Sequence, residues 1–216
     1  MTVKIKICGV TLADDAARAS AAGADFVGLN FWPQSKRHVA PEHAASLAAA
    51  ARGAGVAHVV GVFVDATADE VAAVMALVDL DIIQLHGAEP PIEVATIANA
   101  AKRPAWKAIS VDGAAALDDL DAWSVDALLL DTPTPGRGGS GATFDWSLAR
   151  EARRRYPTRH LVLAGGLTPD NVAAAITAVD PWAVDVASGV EAQPGIKDHG
   201  KLAAFVAAVR QVDQSR

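Results

Sequence analysis

The sequence predicts an α/β protein with a single closed (β/α)8 TIM barrel of eight parallel strands. Short, apolar, β-branched segments alternate along the whole chain with longer, alanine-rich, periodic segments. Strands that alternate with helices indicate βαβ units and a parallel sheet. The strand segments are nearly continuous apolar runs, which is typical of parallel strands covered on both faces. Neither a linker nor a change in composition interrupts the series, so residues 1–216 are expected to form one domain.

Each predicted strand is a short apolar run that ends near a polar residue or a glycine. An open doubly wound sheet is the alternative arrangement, but it would normally carry a glycine fingerprint after the first strand. The segment Cys8-Gly-Val-Thr11 does not match that fingerprint. The predicted strands are, in order, Val3–Cys8, Phe26–Phe31, His58–Val64, Ile82–His86, Ala105–Ile109, Ala127–Asp131, His160–Ala164 and Ala183–Ala187.

Helix start signals occur between the predicted strands. The segment Thr67-Ala-Asp-Glu70 is a capping-box pattern. In Thr168-Pro-Asp-Asn171, a capping residue precedes a proline at the expected first helical position. Thr11 and Asp198 are expected to cap two further helices. The sequence therefore predicts a helix after every strand.

The composition limits the classes of function. The formal net charge is −6, which gives no reason to expect a nucleic-acid partner. The single cysteine cannot form an intramolecular disulfide and indicates a reducing compartment. The N-terminal segment is too short and too charged for a signal peptide, and no apolar run is long enough to span a membrane. We expect a cytoplasmic protein without a membrane partner, with a monomer favoured over a homodimer.

Polar and reactive residues collect at the predicted strand ends. Active sites of (β/α)8 barrels lie at the C-terminal ends of the strands. Cys8 ends the first predicted strand, His86 the fourth and Asp131 the sixth, and Lys107 lies near the end of the fifth. Their shared position predicts an active site at this rim.

A short glycine-containing pair follows each of the last two predicted strands. Gly165 and Gly166 follow the seventh strand, and Ser188 and Gly189 follow the eighth. Barrel enzymes often bind phosphate with these two loops, because glycines let backbone N–H groups approach an anion. Either pair alone could simply form a tight turn, but their joint position favours a site for a phosphorylated small molecule.

Cys8 and Asp131 are candidates for acid and base chemistry. A thiolate is a competent base when nearby positive charge lowers the pKa of the thiol. A carboxyl group in a partly apolar site can have a raised pKa and act as a general acid. On position alone, Cys8 could equally be a small buried hydrophobe, and Asp131 could cap the following loop.

Other polar residues near the rim have two interpretations each. Arg37 could bind a substrate carboxylate with its forked guanidinium, or belong to a solvated basic loop. His86 could be a general base, although hydrogen bonding to neighbouring loops is favoured. The stretch Gly136–Gly141 is typical of a mobile lid. The spacing of histidines, cysteines and carboxylates does not fit a metal site, so we expect no metal.

Several motifs resemble phosphoribosylanthranilate isomerases, in family order and over nearly the full length. The C-terminal motifs are the most distinctive, and the ordered set is highly specific. The matching segments are Lys6–Gly9, Gly28–Phe31, Ser35–Val39, Gly61–Val64, Gln84–Gly87, Leu129–Thr132, Gly138–Gly141, Phe144–Trp146, Leu163–Leu167, Asn171–Val172, Val184–Glu191 and Pro194–Asp198.

The resemblance implies an Amadori rearrangement in tryptophan biosynthesis that needs no cofactor. N-(5-phosphoribosyl)anthranilate would become 1-(2-carboxyphenylamino)-1-deoxyribulose 5-phosphate. It also implies that Asp131 is the general acid, Cys8 the general base and Arg37 the ligand of the anthranilate carboxylate. The loops of Gly165, Gly166, Ser188 and Gly189 would hold the phosphate, and Asp185, His86 and Gly139 would belong to the rim or lid.

One departure from the family pattern lies beside Arg37. The family usually has a proline between the serine and the arginine, and Lys36 stands there in this sequence. The change predicts a more mobile loop with an extra cation near an anionic substrate.

Three other functions remain as alternatives. The related isomerase of histidine biosynthesis, or a bifunctional barrel, is similar in plan but uses an aspartate where Cys8 stands. A phosphosugar epimerase would need metal-ligating residues on the strands. A catalytically inactive barrel that acts as a binding protein would not need both Cys8 and Asp131.

Overall fold

A computed structural model describes residues 2–132 and 145–215, and its central feature is a closed parallel barrel. Eight strands pair in sequence order, and the last strand pairs with the first. The predicted (β/α)8 barrel is therefore confirmed. The barrel strands are β1 Lys4–Cys8, β2 Phe26–Asn30, β3 His58–Phe63, β4 Ile82–Leu85, β5 Ala105–Ser110, β6 Ala127–Asp131, β7 Leu161–Leu163 and β8 Ala183–Val186.

Helices cover the outside of the barrel, and a small hairpin follows β8. The helices are α1 Ala13–Ala21, α2 Pro41–Ala54, α3 Ala68–Leu77, α4 Pro91–Ala101, α5 Trp146–Arg155, α6 Val172–Val179 and α7 His199–Gln214. A 3-10 turn, Ser188–Val190, leads into the antiparallel hairpin of β9 Glu191–Gln193 and β10 Ile196–Lys197.

The segment after β5 differs from the prediction of a helix after every strand. It contains two 3-10 turns, Ala114–Leu117 and Leu120–Ala122, in place of an α-helix. Between them Asp119 has a left-handed backbone with φ of 59°. Aspartates favour turns because their side chains compete for backbone hydrogen bonds, and here they interrupt the short alanine run.

Two of the four predicted helix caps are confirmed. The Thr67 side chain accepts from the backbone N–H of Glu70 in a complete capping box, and Asp198 accepts from that of Lys201. The prediction for Thr168 was wrong, because α6 begins at Val172 and Asn171 occupies its N-cap. The prediction for Thr11 was also wrong, because Leu12 occupies the N-cap of α1, and the Thr11 hydroxyl donates to the carbonyl oxygen of Gly195.

The barrel interior is apolar at its N-terminal end. Phe26 contacts Trp106 edge-on, with ring centroids 4.9 Å apart, and Trp182 lies 5.8 Å from Trp106. These rings belong to an inner cluster that is separate from the larger layer between strands and helices. The aromatic rings thus close the end of the barrel opposite the C-terminal rim.

Strand register decides which side chains point into the barrel. Lys6 is the register partner of Asp185, and Cys8 is that of Gly28. Since side chains alternate along a strand, Lys6 and Cys8 share the inner face of β1.

The side chain of Lys107 points outward from the barrel, so its predicted place at the C-terminal rim was wrong. Its ammonium donates to Glu89 Oε2 at 2.8 Å in a buried ion pair outside the barrel wall. It also lies over the ring of Trp123. The parity of β5 sends Lys107 outward, and its position near the strand end gave no sign of this. In the described part of the chain, we find no helix that is long and apolar enough to cross a membrane.

Candidate active site

The C-terminal rim brings Asp131 and His86 together. Asp131 ends β6 and His86 follows β4, so both side chains project at the open end of the barrel. Nε2 of His86 lies 3.4 Å from Oδ2 of Asp131. The other oxygen, Oδ1, accepts a 2.8 Å hydrogen bond from the backbone N–H of Thr132. This contact holds the Asp131 carboxyl group at the rim and leaves Oδ2 facing the histidine.

Gln84 sets the orientation of the His86 ring from one layer below. Nε2 of Gln84 lies 3.0 Å from Nδ1 of His86. A donated amide N–H makes Nδ1 an acceptor, and the ring proton then resides on Nε2, which faces Asp131. His86 is therefore arranged to contact Asp131, while the favoured interpretation, hydrogen bonding to neighbouring loops, stays a prediction.

Gly165 lies against the acid. Its backbone has φ of +83°, and a Cβ built there would collide with Thr132 Oγ1 and approach Asp131 Oδ1 to 3.1 Å. The left-handed conformation and the close approach both require glycine. Gly165 thus makes room for the Asp131 carboxyl group, a contact that its prediction as a phosphate ligand did not include.

Cys8 ends β1 at the same rim and is partly exposed. Burial raises the pKa of the Cys8 thiol above its ordinary value, and the Lys6 ammonium opposes this by stabilising the thiolate. The Asp185 carboxylate adds to the increase, and Lys197 acts in the same direction as Lys6. Burial and the charge of Asp185 therefore disfavour the thiolate, and the charges of Lys6 and Lys197 favour it.

Lys6 and Asp185 form an ion pair inside the barrel. Nζ of Lys6 lies 2.8 Å from Oδ1 of Asp185, and the lysine side chain is completely buried. Burial alone would lower the pKa of Lys6, but Asp185 and Cys8 raise it well above its ordinary value. Lys6 therefore keeps its positive charge next to the sulfur of Cys8.

Arg37 is anchored by the hairpin that follows β8. Its Nε donates to Glu191 Oε1 at 2.8 Å, and Nη2 donates to Oε2 at 2.7 Å. Glu191 also accepts from Nζ of Lys197 at 3.0 Å. The bond to Glu191 raises the pKa of Arg37. This two-point contact fixes the guanidinium plane beside the rim, in contrast to a solvated basic loop.

Gly9 provides the surface on which Arg37 lies. Its backbone has φ of +69°, and a Cβ built there would collide with Cδ of Arg37 and lie 3.2 Å from its Cγ. Glycine at this position lets the arginine stem cross the end of β1 directly after Cys8. The backbone carbonyl of Cys8 in turn accepts from Nζ of Lys197 at 2.6 Å.

The loops after β7 and β8 pack against each other. A Cβ built on Gly189 would collide with the carbonyl oxygen of Leu167, so the two loops meet at backbone distance. Gly166, Ser188 and Gly189 line a cavity of about 730 Å³, which Lys201 at the start of α7 also lines. The predicted phosphate residues Gly166, Ser188 and Gly189 thus share one cavity, while Gly165 faces Asp131.

The predicted lid, the expected absence of a metal site and Lys36 concern the surroundings of the rim. Gly139 and the stretch 136–141 lie outside the described residues. Within residues 2–132 and 145–215, no group of three or more histidine, cysteine or acidic side chains could hold a metal ion. Lys36 lies in the loop that carries Arg37, and its carbonyl oxygen approaches Gly195.

The sequence interpretation gave no role to several polar residues of the site, among them Lys6, Gln84, Glu191 and Lys197. The first two could have been found from periodicity, because each precedes a rim residue, Cys8 or His86, by two positions on the same strand face. Glu191 and Lys197 lie in a hairpin that carried no strand signal. Their pairing with Arg37 depends on a long-range contact that the sequence pattern does not contain.

The sequence is similar to one family of known proteins over nearly its full length. A family model described as N-(5'-phosphoribosyl)anthranilate (PRA) isomerase matches residues 5–208. An N-(5'-phosphoribosyl)anthranilate isomerase from Magnetococcus marinus is 50% identical over 98% of this chain and 97% of its own.

Solved structures agree with this. Monomers generated from the dimeric phosphoribosylanthranilate isomerase of Thermotoga maritima have a TM-score of 0.84 and 39% identity, over 97% of this chain and 100% of theirs. A phosphoribosyl anthranilate isomerase in complex with reduced 1-(o-carboxyphenylamino)-1-deoxyribulose 5-phosphate has a TM-score of 0.83 and 38% identity, with the same coverage.

Proposed function

The chain belongs to the N-(5'-phosphoribosyl)anthranilate isomerase family, and we propose that Cys8 and Asp131 are the base and the acid of its reaction. It is an isomerase of tryptophan biosynthesis that converts N-(5'-phosphoribosyl)anthranilate to 1-(2-carboxyphenylamino)-1-deoxyribulose 5-phosphate. The observation that carries the proposal is the presence of a thiol and a carboxyl group at the ends of β1 and β6, on the rim where this fold places its chemistry.

The acid step begins the rearrangement. Asp131 donates its proton to the ribose ring oxygen, the bond from that oxygen to C1 breaks, and the nitrogen lone pair forms a protonated imine. The fixed position of the carboxyl group supports this role, since Oδ1 is held by the backbone of Thr132. Oδ2 remains directed at the rim, with Nε2 of His86 3.4 Å away to stabilise the carboxylate that forms.

The base step follows on the open-chain imine. The Cys8 thiolate removes the proton from C2, and the electron pair moves toward the protonated imine nitrogen to give an enolamine. Tautomerisation of the enolamine then yields the ketone. An adjacent protonated imine makes C2 acidic, so a thiolate can serve as the base. Burial raises the pKa of the Cys8 thiol, which makes its thiolate a stronger base.

Binding is divided between the two ends of the substrate. Arg37 is proposed to hold the anthranilate carboxylate, because the contact with Glu191 presents its guanidinium at a fixed angle beside Cys8. The loops of Gly166, Ser188 and Gly189 are proposed to hold the phosphate through backbone N–H groups. Asp185 lies on β8 one layer below the predicted rim position, beside Lys6, and substrate-binding roles for Asp185 and Gly139 stay predictions.

The reaction is tested by generating the substrate in situ, adding the purified protein without metal and following the loss of anthranilate fluorescence. Rapid loss is expected. Turnover of the corresponding histidine-pathway substrate alone would favour that related isomerase. Binding of the reduced product analogue without turnover of either substrate would favour an inactive barrel that acts as a binding protein.

We also propose a monomer that acts in the cytoplasm. Among the described residues, the exposed large apolar side chains come from four separate segments of the chain and are Leu12, Val56, Leu77 and Ile92. A free thiol that must stay reduced suits a reducing compartment. Light scattering during gel filtration should give a mass near 22.2 kDa, whereas twice this value would indicate a dimer.

A further inference from the structure

The barrel interior contains a buried ion pair that neither the acid nor the base step uses directly. Lys6 and Asp185 lie one layer below the rim, on adjacent strands whose register places them side by side. A buried ion pair gives little net stability, because apolar side chains of similar size can fill the same space equally well. A structural role therefore does not account for charges at this position.

Asp185 and Gly28 define the position of the Lys6 ammonium beside Cys8. Asp185 Oδ1 on β8 accepts from it at 2.8 Å. Gly28 on β2 has no side chain, and a Cβ built there would lie 2.9 Å from Cys8 Sγ and 3.2 Å from Lys6 Nζ. Glycine at position 28 thus leaves the space in which sulfur and ammonium approach each other. Since an ammonium has three protons, one bond to Asp185 leaves donors for the sulfur.

Among the described residues, four charged groups face Cys8, and Lys6 differs from the other two cations. Lys6 lies on β1, Asp185 on β8, Lys197 on β10 and Arg37 in the loop after β2. Arg37 and Lys197 share the carboxylate of Glu191, which offsets their charges. Burial lowers the pKa of Lys197, and its ammonium donates to the backbone carbonyls of Cys8 and Ala187. Of these three cations, Lys6 is therefore the one best placed to act on the sulfur.

From this geometry we propose that Lys6, held in place by Asp185, is a positioning residue that stabilises the Cys8 thiolate. It sets the pH at which the base becomes available. The inference rests on the proposed role of Cys8 in the reaction, but its physical content is a property of the thiol. Lys6 remains positively charged through the range in which the thiol titrates, because Asp185 and Cys8 raise its pKa.

The thiol can be titrated without interference, because Cys8 is the single cysteine of the chain. Iodoacetamide reacts with the thiolate, so the alkylation rate as a function of pH reports the thiolate fraction at Cys8. Absorbance of the thiolate near 240 nm gives a second measure. The variant Lys6→Met keeps the length of the side chain and removes the charge.

We expect Lys6→Met to lower the alkylation rate at pH 8 by about tenfold or more, since one unit of thiol pKa changes the thiolate fraction tenfold. Lys107→Met is the matched control. It breaks another buried lysine–carboxylate pair, on the outer face of β5 across the barrel, and should leave the alkylation profile unchanged. An unchanged profile in folded Lys6→Met, or an equal change in the control, would overturn the proposal.

A double variant covers the case in which Lys6→Met does not fold. Lys6→Met/Asp185→Asn removes both charges, so no unpaired carboxylate remains. The pKa of its thiol should still lie above that of the wild type, because the variant lacks the ammonium that approaches the sulfur beside Gly28. A midpoint at or below the wild-type value would contradict the proposal.

The pH profile of turnover separates this inference from the proposed function. If Cys8 is the base, the rising limb of kcat/KM should move with the alkylation midpoint in Lys6→Met. A shifted thiol titration with an unshifted limb would support the action of Lys6 on the sulfur. It would at the same time count against Cys8 as the base.

Discussion

At the scale of single residues, Arg37 connects the hairpin to the proposed substrate site. Glu191 occupies two of its nitrogen atoms, and the arginine stem lies on Gly9 next to Cys8. The guanidinium is therefore prearranged, so a carboxylate that binds to its free edge needs little reorganisation. This supports a role for Arg37 in binding and not in proton transfer.

Replacement of Arg37 should affect binding more than chemistry. We expect Arg37→Ala to raise KM by about tenfold or more, because hydrogen bonds to charged groups contribute about 1.5–3 kcal/mol. Its kcat should change less. Steady-state kinetics measure both constants. Arg18→Ala, which removes an exposed arginine paired with Asp14 on α1, is the control. An unchanged KM in Arg37→Ala would exclude Arg37 as the carboxylate ligand.

At the scale of structural elements, the hairpin of β9 and β10 supports one side of the site. Glu191 bonds Arg37, Lys197 and the backbone N–H of Gly195, and it is nearly fully buried. Burial alone would raise the pKa of Glu191, but the bond from Arg37 and the charge of Lys197 lower it overall. Glu191 is therefore ionised in the folded protein at neutral pH.

Glu191→Gln should destabilise the protein in a pH-dependent manner. At neutral pH we expect a loss of about 3 kcal/mol in the free energy of unfolding, because two cations lose their partner. A carboxyl group with a lowered folded-state pKa stabilises above its unfolded-state pKa, and this contribution disappears as the pH falls through the folded-state value. Urea unfolding at several pH values measures this effect. The difference in the free energy of unfolding between variant and wild type should shrink at pH values below the ordinary pKa range of glutamate. A difference in the free energy of unfolding that stays constant from neutral to strongly acidic pH would contradict the stabilising role of ionised Glu191.

How far the sequence could predict the elements depended on the range of the interactions. The capping box of Thr67 and the cap of Asp198 are local, and both were confirmed. Asn171 occupies the N-cap position that was predicted for Thr168. Its side chain accepts from the Thr168 backbone N–H and donates to the carbonyl oxygen of Gly166, and a spacing rule cannot detect these contacts. The outward direction of Lys107 required the parity of β5, which only the barrel register fixes.

In the candidate site, too, the features that depend on local sequence could be predicted, and those that depend on long-range contacts could not. Cys8, Asp131 and the glycine loops could be predicted because parallel strands in a barrel present their C-terminal ends at one rim. The contact of Glu191 with Arg37 joins residues far apart in sequence, and no local pattern indicated it. The assignment of residues 1–216 to one domain stays a prediction, as do the roles of the site residues.

At the scale of the whole molecule, the two ends of the barrel have different tasks. The aromatic rings of Phe26, Trp106 and Trp182 fill the N-terminal end, and polar groups occupy the C-terminal end. In (β/α)8 barrels, residues at the N-terminal end generally serve stability and those at the C-terminal end serve catalysis.

Trp106→Ala should therefore separate stability from activity. We expect it to lower the free energy of unfolding by about 3–5 kcal/mol, the usual cost of removing a large buried aromatic ring. The kcat of the folded variant should stay near that of the wild type. Urea unfolding and turnover at a temperature where the variant is folded measure the two effects. Val56→Ala, at a position that is 90% exposed, should change neither. A large loss of kcat without loss of stability would contradict the assignment of stability to the N-terminal end and catalysis to the C-terminal end.

The central claim is that Cys8 and Asp131 form the base and acid pair of the isomerisation. The most direct test compares turnover by wild type, Cys8→Ser and Asp131→Asn in the anthranilate fluorescence assay, with folding verified by circular dichroism. We predict rapid fluorescence loss with the wild type and almost none with either variant, because each variant lacks one of the two proton transfers. Turnover near the wild-type rate in either folded variant would contradict the assignment of that residue.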